Sequence, residues 1–392
     1  SWRYKGFYNL RNMNAVEMKR NCIDCGREFT ISPYQQMYYA NRGWELPRRC
    51  RACSEKKRQE RQKKEAEGAT GQFEKELSDS PYAIKEVSNI EVKSPVTTLY
   101  VIGNGFDLAH GVPSSYSKFR DWLGKHSNLR KTLETYIKND ALWWNLEEAL
   151  ADLDLDTPSM AIPEMLDAFD AYDPDAQMAD YYAAIDMAML PVDTITNELP
   201  KKFRRWIESL KVDSSVKPLS GLVKPGAKYL DFNYTEFAET LYGAKGVCYI
   251  HGSRKNRKAK LILGHSYKKY VSDVSVKMPR FKDGFKRGMV NAAFDDAMVH
   301  AGWYDQATTK NSRQIIKEHE GFFDGLSDID TVIVIGHSLS EVDMEYFEKI
   351  CSEIHSDAKW IFSCHDSAGL KAINAFVKTM AIGADRVTLF RL

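Results

Sequence analysis

The chain has 392 residues, 43% of them hydrophobic and 28% charged, with a formal net charge of +1. That is enough for one large core plus a small companion; it lacks the run of about 20 apolar residues a membrane helix needs, and its balance of charge excludes a uniformly basic or acidic protein. Ser1 to Arg20 has no apolar core or cleavage-like site of a secretory leader, and seven cysteines, an odd number, suit a reducing compartment, so a cytoplasmic protein without a membrane partner is expected.

Residues 1–20 read as an arm or tag. Residues 21–54 hold Cys22-Ile23-Asp24-Cys25 and Cys50-Arg51-Ala52-Cys53. Each C-x-x-C pair is expected on a tight knuckle turn, and four thiolates at these spacings close a tetrahedral shell around one structural Zn²⁺, so Cys22, Cys25, Cys50 and Cys53 are the expected ligands of a small zinc ribbon. The bland alternative, four free thiols, would require two such pairs by chance. Residues 1–67 carry 16 basic and 8 acidic side chains. Arg48, Arg49 and Arg51, with Lys56, Lys57, Arg58, Arg61, Lys63 and Lys64, suit either nucleic-acid phosphates or a partner protein, and equally a solvated face.

Residues 55–95 read as a charged linker. Its first part, Ser54 to Gly68, is rich in helix formers without an apolar stripe, which predicts a solvated helix or a tether. Residues 96–392 then alternate short β-type runs with helical patterns, which predicts an α/β domain built on an open, mostly parallel sheet. Strands are expected near Thr98–Ile102, Lys228–Phe232, Val247–Ile250, Leu261–Leu263, Thr331–Ile335, Trp360–Ser363 and Val387–Leu389. A helical insertion is expected over about 117–225, where strand patterns are scarce.

The first of these strands leads into Gly103-Asn104-Gly105-Phe106-Asp107-Leu108-Ala109-His110-Gly111-Val112-Pro113. Gly-x-Gly after a strand lets the backbone turn sharply and approach a pyrophosphate; it also occurs as a plain tight turn. Later strand ends carry Asp231-Phe232-Asn233-Tyr234-Thr235, Tyr249-Ile250-His251-Gly252 and Gly336-His337-Ser338-Leu339-Ser340-Glu341-Val342-Asp343. Carboxyl ends of parallel strands are where ligands collect in such sheets. Asn233 is a catalytic candidate or a cap for a helix beginning at Thr235, and His251 a base or a turn histidine. Asp107 would bind a ribose or cap the next helix. His265 and His337 line the pocket or pack, His110 reads as structural, Trp143 and Trp144 as core, and Glu147 as a side chain that could reach the pocket from the insertion.

These motifs, in this order and spacing, resemble the nucleotide loop, Asn, His-Gly and Gly-x-Ser segments of the sirtuin superfamily. Their wording is closer still to the AbiH family of phage abortive infection, over Leu99 to the C-terminus. The resemblance implies a sirtuin-like, Rossmann-type fold and an antiphage effector that hydrolyses NAD⁺ at the nicotinamide glycosidic bond. Asn233 and His251 would be catalytic; Gly103, Asn104, Gly105, Phe106, Asp107, Gly336, His337, Ser338 and Asp343 would bind the nucleotide. A non-catalytic nucleotide sensor, assembling with nucleic acid or protein through the zinc arm, and an ADP-ribosyltransferase are the alternatives; a homo-oligomer is compatible with each. Ser114-Ser115-Tyr116 and the lack of a four-cysteine insertion after His251 depart from deacylating sirtuins.

Overall fold

A computed structural model describes residues 18–31, 36, 45–166, 178–266 and 284–392. Residues 1–17, most of the expected arm, and 32–35 and 37–44, between the cysteine pairs, lie outside the described residues. The chain divides into two compact units, Ser1–Ser80 and Pro81–Leu392.

In the first unit, β1 (Met18–Asn21) and β2 (Glu28–Ile31) form an antiparallel hairpin around the first cysteine pair. Its turn closes through Cys22 N–H to Arg27 O and Gly26 N–H to Cys22 O, both 2.9 Å. Gly26 sits at φ 70°, a left-handed conformation that glycine adopts without a Cβ clash. The second pair is different from the expectation. Cys50 is the N-cap of helix α1 (Arg51–Ser78) and Cys53 lies in its first turn, so the two pairs do not sit on two knuckles as in a ribbon. The run of Lys, Arg, Glu and Gln that suggested a helix or a tether is this helix, as its helix-forming composition favours.

The second unit is built on a parallel sheet, seven-stranded among the described residues. Its strands are β3 (Ala83–Lys85), β4 (Thr98–Ile102), β5 (Lys228–Asp231), β6 (Cys248–Tyr249), β9 (Thr331–Ile335), β10 (Lys359–Cys364) and β11 (Val387–Arg391). They lie in the order β3-β11-β10-β9-β4-β5-β6. The expected linker therefore ends too late: Ala83–Lys85 pairs with Thr388–Phe390 as the sheet's edge. Three residues without an apolar run carry no strand pattern, and only the neighbouring strand makes them one. Leu261–Leu263 is likewise not a strand. The nearby β7 (His265–Ser266) pairs instead with β8 (Thr309–Lys310) in a separate two-stranded ribbon.

The central strands are buried on both faces, which accounts for their unbroken apolar sequences. Tyr100, Ile102, Tyr229, Ile333 and Ile335 join one core with the helical insertion. The insertion follows the short α2 (Asn104–Ala109) and comprises α3 (Tyr116–Leu123), α4 (Asn128–Tyr136), α5 (Leu146–Ala149), α6 (Asp156–Leu166) and α7 (Met178–Ser209). It has a second part that the sequence left unmarked. After α8 (Phe237–Tyr242), the long α9 (Gly284–Thr308) packs Val290, Ala293, Phe294, Ala297 and Tyr304 into the same core, and Tyr304 donates to Leu150 O at 2.6 Å. Two short helices, α10 (Ser312–Glu318) and α11 (Glu320–Phe323), then lead back to the sheet. On the other sheet face α12 (Met344–Glu353) and α13 (Ser367–Thr379) stack aromatics, with Phe376 against Phe347, Trp360 and Phe362. Trp143 packs partly against the core, but Trp144 is 86% exposed, contrary to the expectation of a core residue.

Strand order decides where a ligand site can form. From β4 the chain runs outward to β5 and β6, then returns to β9 on the opposite side of β4. The connections after β4 and β9 diverge to different sides, and this switch point is where open parallel sheets leave a crevice.

Candidate functional site

At the switch point the two glycine-bearing turns cross in direct backbone contact. Gly103 N–H donates to Ile335 O at 2.9 Å and Gly105 N–H to Gly336 O at 2.8 Å, while Phe106 N–H turns back to Gly103 O. A Cβ on Gly103 would stand 2.5 Å from His337 Cα, and one on Gly105 2.6 Å from Gly336 Cα. The glycines are thus required by the crossing of the two turns, and three of the loop's amides are already engaged. Asn104 and Ser338 are exposed at its rim, whereas Phe106 is a core side chain.

Beside this crossing lies a buried polar knot. Asn233 Nδ2 donates to Gly103 O at 3.1 Å and to Asp107 Oδ1 at 3.3 Å, and Thr235 Oγ1 donates to Asp107 Oδ2 at 2.7 Å. Asp231 Oδ1 accepts the Asn233 N–H at 2.8 Å. Asn233 therefore caps no helix; α8 begins at Phe237 with Glu236 as its N-cap. Asp107 caps no helix: it lies within α2, whose N-cap is Gly103, and the N-cap of α3 is Ser115. It is 2% exposed, and its carboxylate ties the glycine turn after β4 to the strand end after β5. Burial pushes Asp107 up to about 7 against the pull of Thr235, and burial also raises Asp231.

A second cluster gathers His251, His337 and Asp343 with two residues from the insertion side, Glu147 and Lys310. Asp343 Oδ1 is 3.8 Å from His251 Nε2 and 3.5 Å from Lys310 Nζ, and its Oδ2 is 3.5 Å from His337 Nε2. Lys310 Nζ also donates to Glu147 Oε2 at 2.7 Å, and its side chain is fully buried. His337 Nδ1 accepts the Leu339 N–H at 3.0 Å, which puts the ring proton on Nε2, facing Asp343. Leu339 adopts φ 52°, a left-handed position unusual for leucine, to make that bond.

His251 is arranged the other way round. It bonds the backbone of Phe232, and its Nε2 has no hydrogen-bond partner among the described residues although it is buried. Burial, then the Lys310 ammonium, push its basicity well below the ordinary histidine range, with Asp343 opposing. At neutral pH the ring is neutral with an unbonded lone pair at Nε2. Burial alone would raise Asp343, but Lys310 and the two histidines hold it below the usual carboxylate range. Burial raises Glu147 despite Lys310. Lys310 stays charged: burial opposes its charge, and the two carboxylates outweigh that.

His251, His337 and Asp343 thus come together as their strand-end motifs implied, while Asn233 and Asp107 belong to the adjoining knot. Glu147 does reach the cluster. Lys310 was missed: no motif surrounds it, it ends a strand of only two residues, and only the packing of β8 brings it in. His110 is structural as expected, bonding Phe106 O at 2.6 Å and Tyr242 Oη at 2.7 Å; His265 is fully buried on β7.

In the first unit the four cysteine sulfurs lie within 4.8 Å of one another, and Cys25 Sγ is 3.8 Å from Cys50 Sγ. A tetrahedral zinc with Zn–S bonds of about 2.3 Å sets its sulfurs about 3.8 Å apart, so the set fits the ion. The backbone amide of Cys50 brings the Cys22 thiol down to about 6, whereas hydrogen bonding to Cys25 pushes Cys53 up to about 12. Four sulfurs this close become thiolates together only around a cation. Arg49 joins the two halves by pairing with Asp24 at 2.7 Å, Lys57 lies 3.9 Å from the same carboxylate, and Arg48 pairs with Glu45 at 2.8 Å, so three of the basic residues have partners inside the unit.

Residues 99–364 match the family model described as bacteriophage abortive infection AbiH, and residues 17–62 match one described as a probable treble clef domain. The hairpin followed by a helix carrying the second cysteine pair agrees with the latter. Neither a curated protein nor a solved structure matches the chain. Among the described residues no helix is long and apolar enough to cross a membrane.

Proposed function

The chain belongs to the bacteriophage abortive infection AbiH family, and from that premise we propose that it is an antiphage effector that binds NAD⁺ at the switch point and hydrolyses the nicotinamide glycosidic bond. The observation that carries this reading is His251 Nε2: buried, without a hydrogen-bond partner among the described residues, and held 3.8 Å from an ionised carboxylate at the sheet's carboxyl edge. The sirtuin-like order of the strand-end motifs supports the choice of nucleotide.

In this reading, departure of neutral nicotinamide leaves positive charge on the ribose ring, as in glycoside hydrolysis. Water adds its oxygen to the ribosyl carbon, and His251 Nε2 takes the proton that the water gives up, yielding ADP-ribose and nicotinamide. Asp343 stabilises the imidazolium so formed and the cationic sugar, and His337 holds Asp343 by its Nε2–H. Asn233 is a positioning residue: its amide group holds Gly103 and Asp107, which fixes the first glycine turn against the strand end after β5. The zinc centre, closed by four thiolates, is structural and supplies no step.

The burial of His251, Asp343 and Lys310 favours a second reading, a sensor that binds the nucleotide without turning it over. Incubating the full chain with NAD⁺ and separating the products distinguishes them. Release of nicotinamide, reduced about a hundredfold or more by His251→Ala with the fold retained, is the expected result. ADP-ribose found attached to protein or nucleic acid would make the activity a transfer, and binding without nicotinamide release would leave the sensor.

A further inference from the structure

The cluster contains an oxyanion site already filled from within the chain. Glu147, on α5, presents its carboxylate to Lys310 Nζ at 2.7 Å and to a hydrogen bond with the Tyr116 hydroxyl. The Tyr234 hydroxyl, which donates to Ile262 O at 2.7 Å, stands 3.4 Å from Glu147 Oε1. An ammonium and the Tyr116 hydroxyl thus serve one carboxylate, with Tyr234 beside it, in a place where burial works against that carboxylate's charge. A phosphate needs the same donors, a cation and hydroxyls around oxygens. The glycine loop is short of them, because the amides of Gly103, Gly105 and Phe106 bond backbone carbonyls.

We propose that Lys310, with the hydroxyl of Tyr116, is the receptor for a phosphate group of the ligand, and that Glu147 holds that place in the ligand-free chain. The proposal deepens the nucleotide reading above and rests on it for the identity of the ligand. The Asp343 contact keeps Lys310 charged and aimed during the exchange. Lys310 is fully buried, so a phosphate reaches it only as Glu147 and α5 give way. The ligand then replaces one buried ion pair with another, and the chain never strands the lysine charge, which would be the expensive state.

Inorganic pyrophosphate is the probe, with binding to the full chain followed by calorimetry and thermal shift. Glu147→Gln removes the competing charge and leaves Lys310 paired with Asp343. It is expected to bind pyrophosphate about tenfold more tightly than the unsubstituted chain, the effect of releasing one charge-assisted hydrogen bond. Adenosine, which has no phosphate, should show no such gain. The double variant Glu147→Gln, Lys310→Met removes Lys310 together with one of its two carboxylate partners and leaves Asp343 facing the Nε2–H of His337; with its melting transition checked, it should lose the pyrophosphate binding of Glu147→Gln. Equal pyrophosphate affinity for the unsubstituted chain and Glu147→Gln, or retention of binding in the double variant, overturns the proposal. Pyrophosphate binding that follows the expected pattern in a chain that never releases nicotinamide from NAD⁺ supports the receptor while rejecting the hydrolase; nicotinamide release with no response to Glu147→Gln does the reverse.

Discussion

The cysteine centre and the sheet-edge cluster concentrate polar groups by opposite routes. In the first, ligands arrive in two local pairs, one on a hairpin turn and one on the first turn of α1, and the geometry is written in short spacings. In the second, Glu147, His251, Lys310 and the pair His337 and Asp343 come from four separate segments, and the crossing of two glycine turns holds the strand ends in register. A locally built centre depends on its ion, and a globally built one depends on packing. Perturbations that act on one should therefore leave the other largely intact.

The largest effect is expected from removing the ion. Structural zinc contributes on the order of 10 kcal/mol to folding of small domains, far more than the stability of a unit this size. A chelator, or Cys25→Ser, should abolish the ordered structure of residues 18–78, seen as loss of α1 helicity, while residues 81–392 keep a cooperative melting transition. Residues 81–392 produced alone should fold, because β3 and the whole sheet lie within them. A first unit that stays folded in stoichiometrically metal-free protein would break the contrast.

Next in size is the crossing itself. Gly105→Ala places a Cβ 2.6 Å from Gly336 Cα, backbone against backbone, and one turn must move. A loss of about 1–3 kcal/mol is expected, read as a fall in the melting temperature of the second unit with zinc content unchanged. A variant as stable as the parent would mean that the turns are less tightly crossed than the distances indicate.

The third effect is a dependence on pH. Asp107 is raised to about 7 in the folded chain and has an ordinary value near 4 when unfolded. A carboxyl group raised by folding contributes stability below the unfolded value and loses it as pH rises through the folded one. Asp107→Asn removes that loss. The stability of the variant relative to the parent should therefore increase from about pH 4 to pH 7 and level off above it, a comparison that cancels the opposite contribution of His251. A difference independent of pH would show that Asp107 is ionised throughout.

Much of this was legible in the chain itself. The strand runs at 98–102 and 331–335 are apolar because both faces are covered, and such runs mark themselves. The edge strand Ala83–Lys85 is exposed along its length and has no such mark. Asn233 and Asp107 were visible as polar residues at turns, but whether each capped a helix or met a ligand depended on partners 126 residues apart.

What the sequence determined by itself is the set of features encoded by near neighbours: four thiolates at metal spacing, glycines after a strand, and a parallel α/β order. Knuckle and turn geometry follow from a few consecutive dihedrals, so a few consecutive residues suffice to specify them. Only the tertiary structure decided that the second cysteine pair opens a helix, that Gly103 and Gly105 serve a backbone crossing, and that Lys310 lies buried between Glu147 and Asp343. Those outcomes depend on which surfaces close against one another. A lysine enters a protein interior only where distant carboxylates are already held to receive its charge.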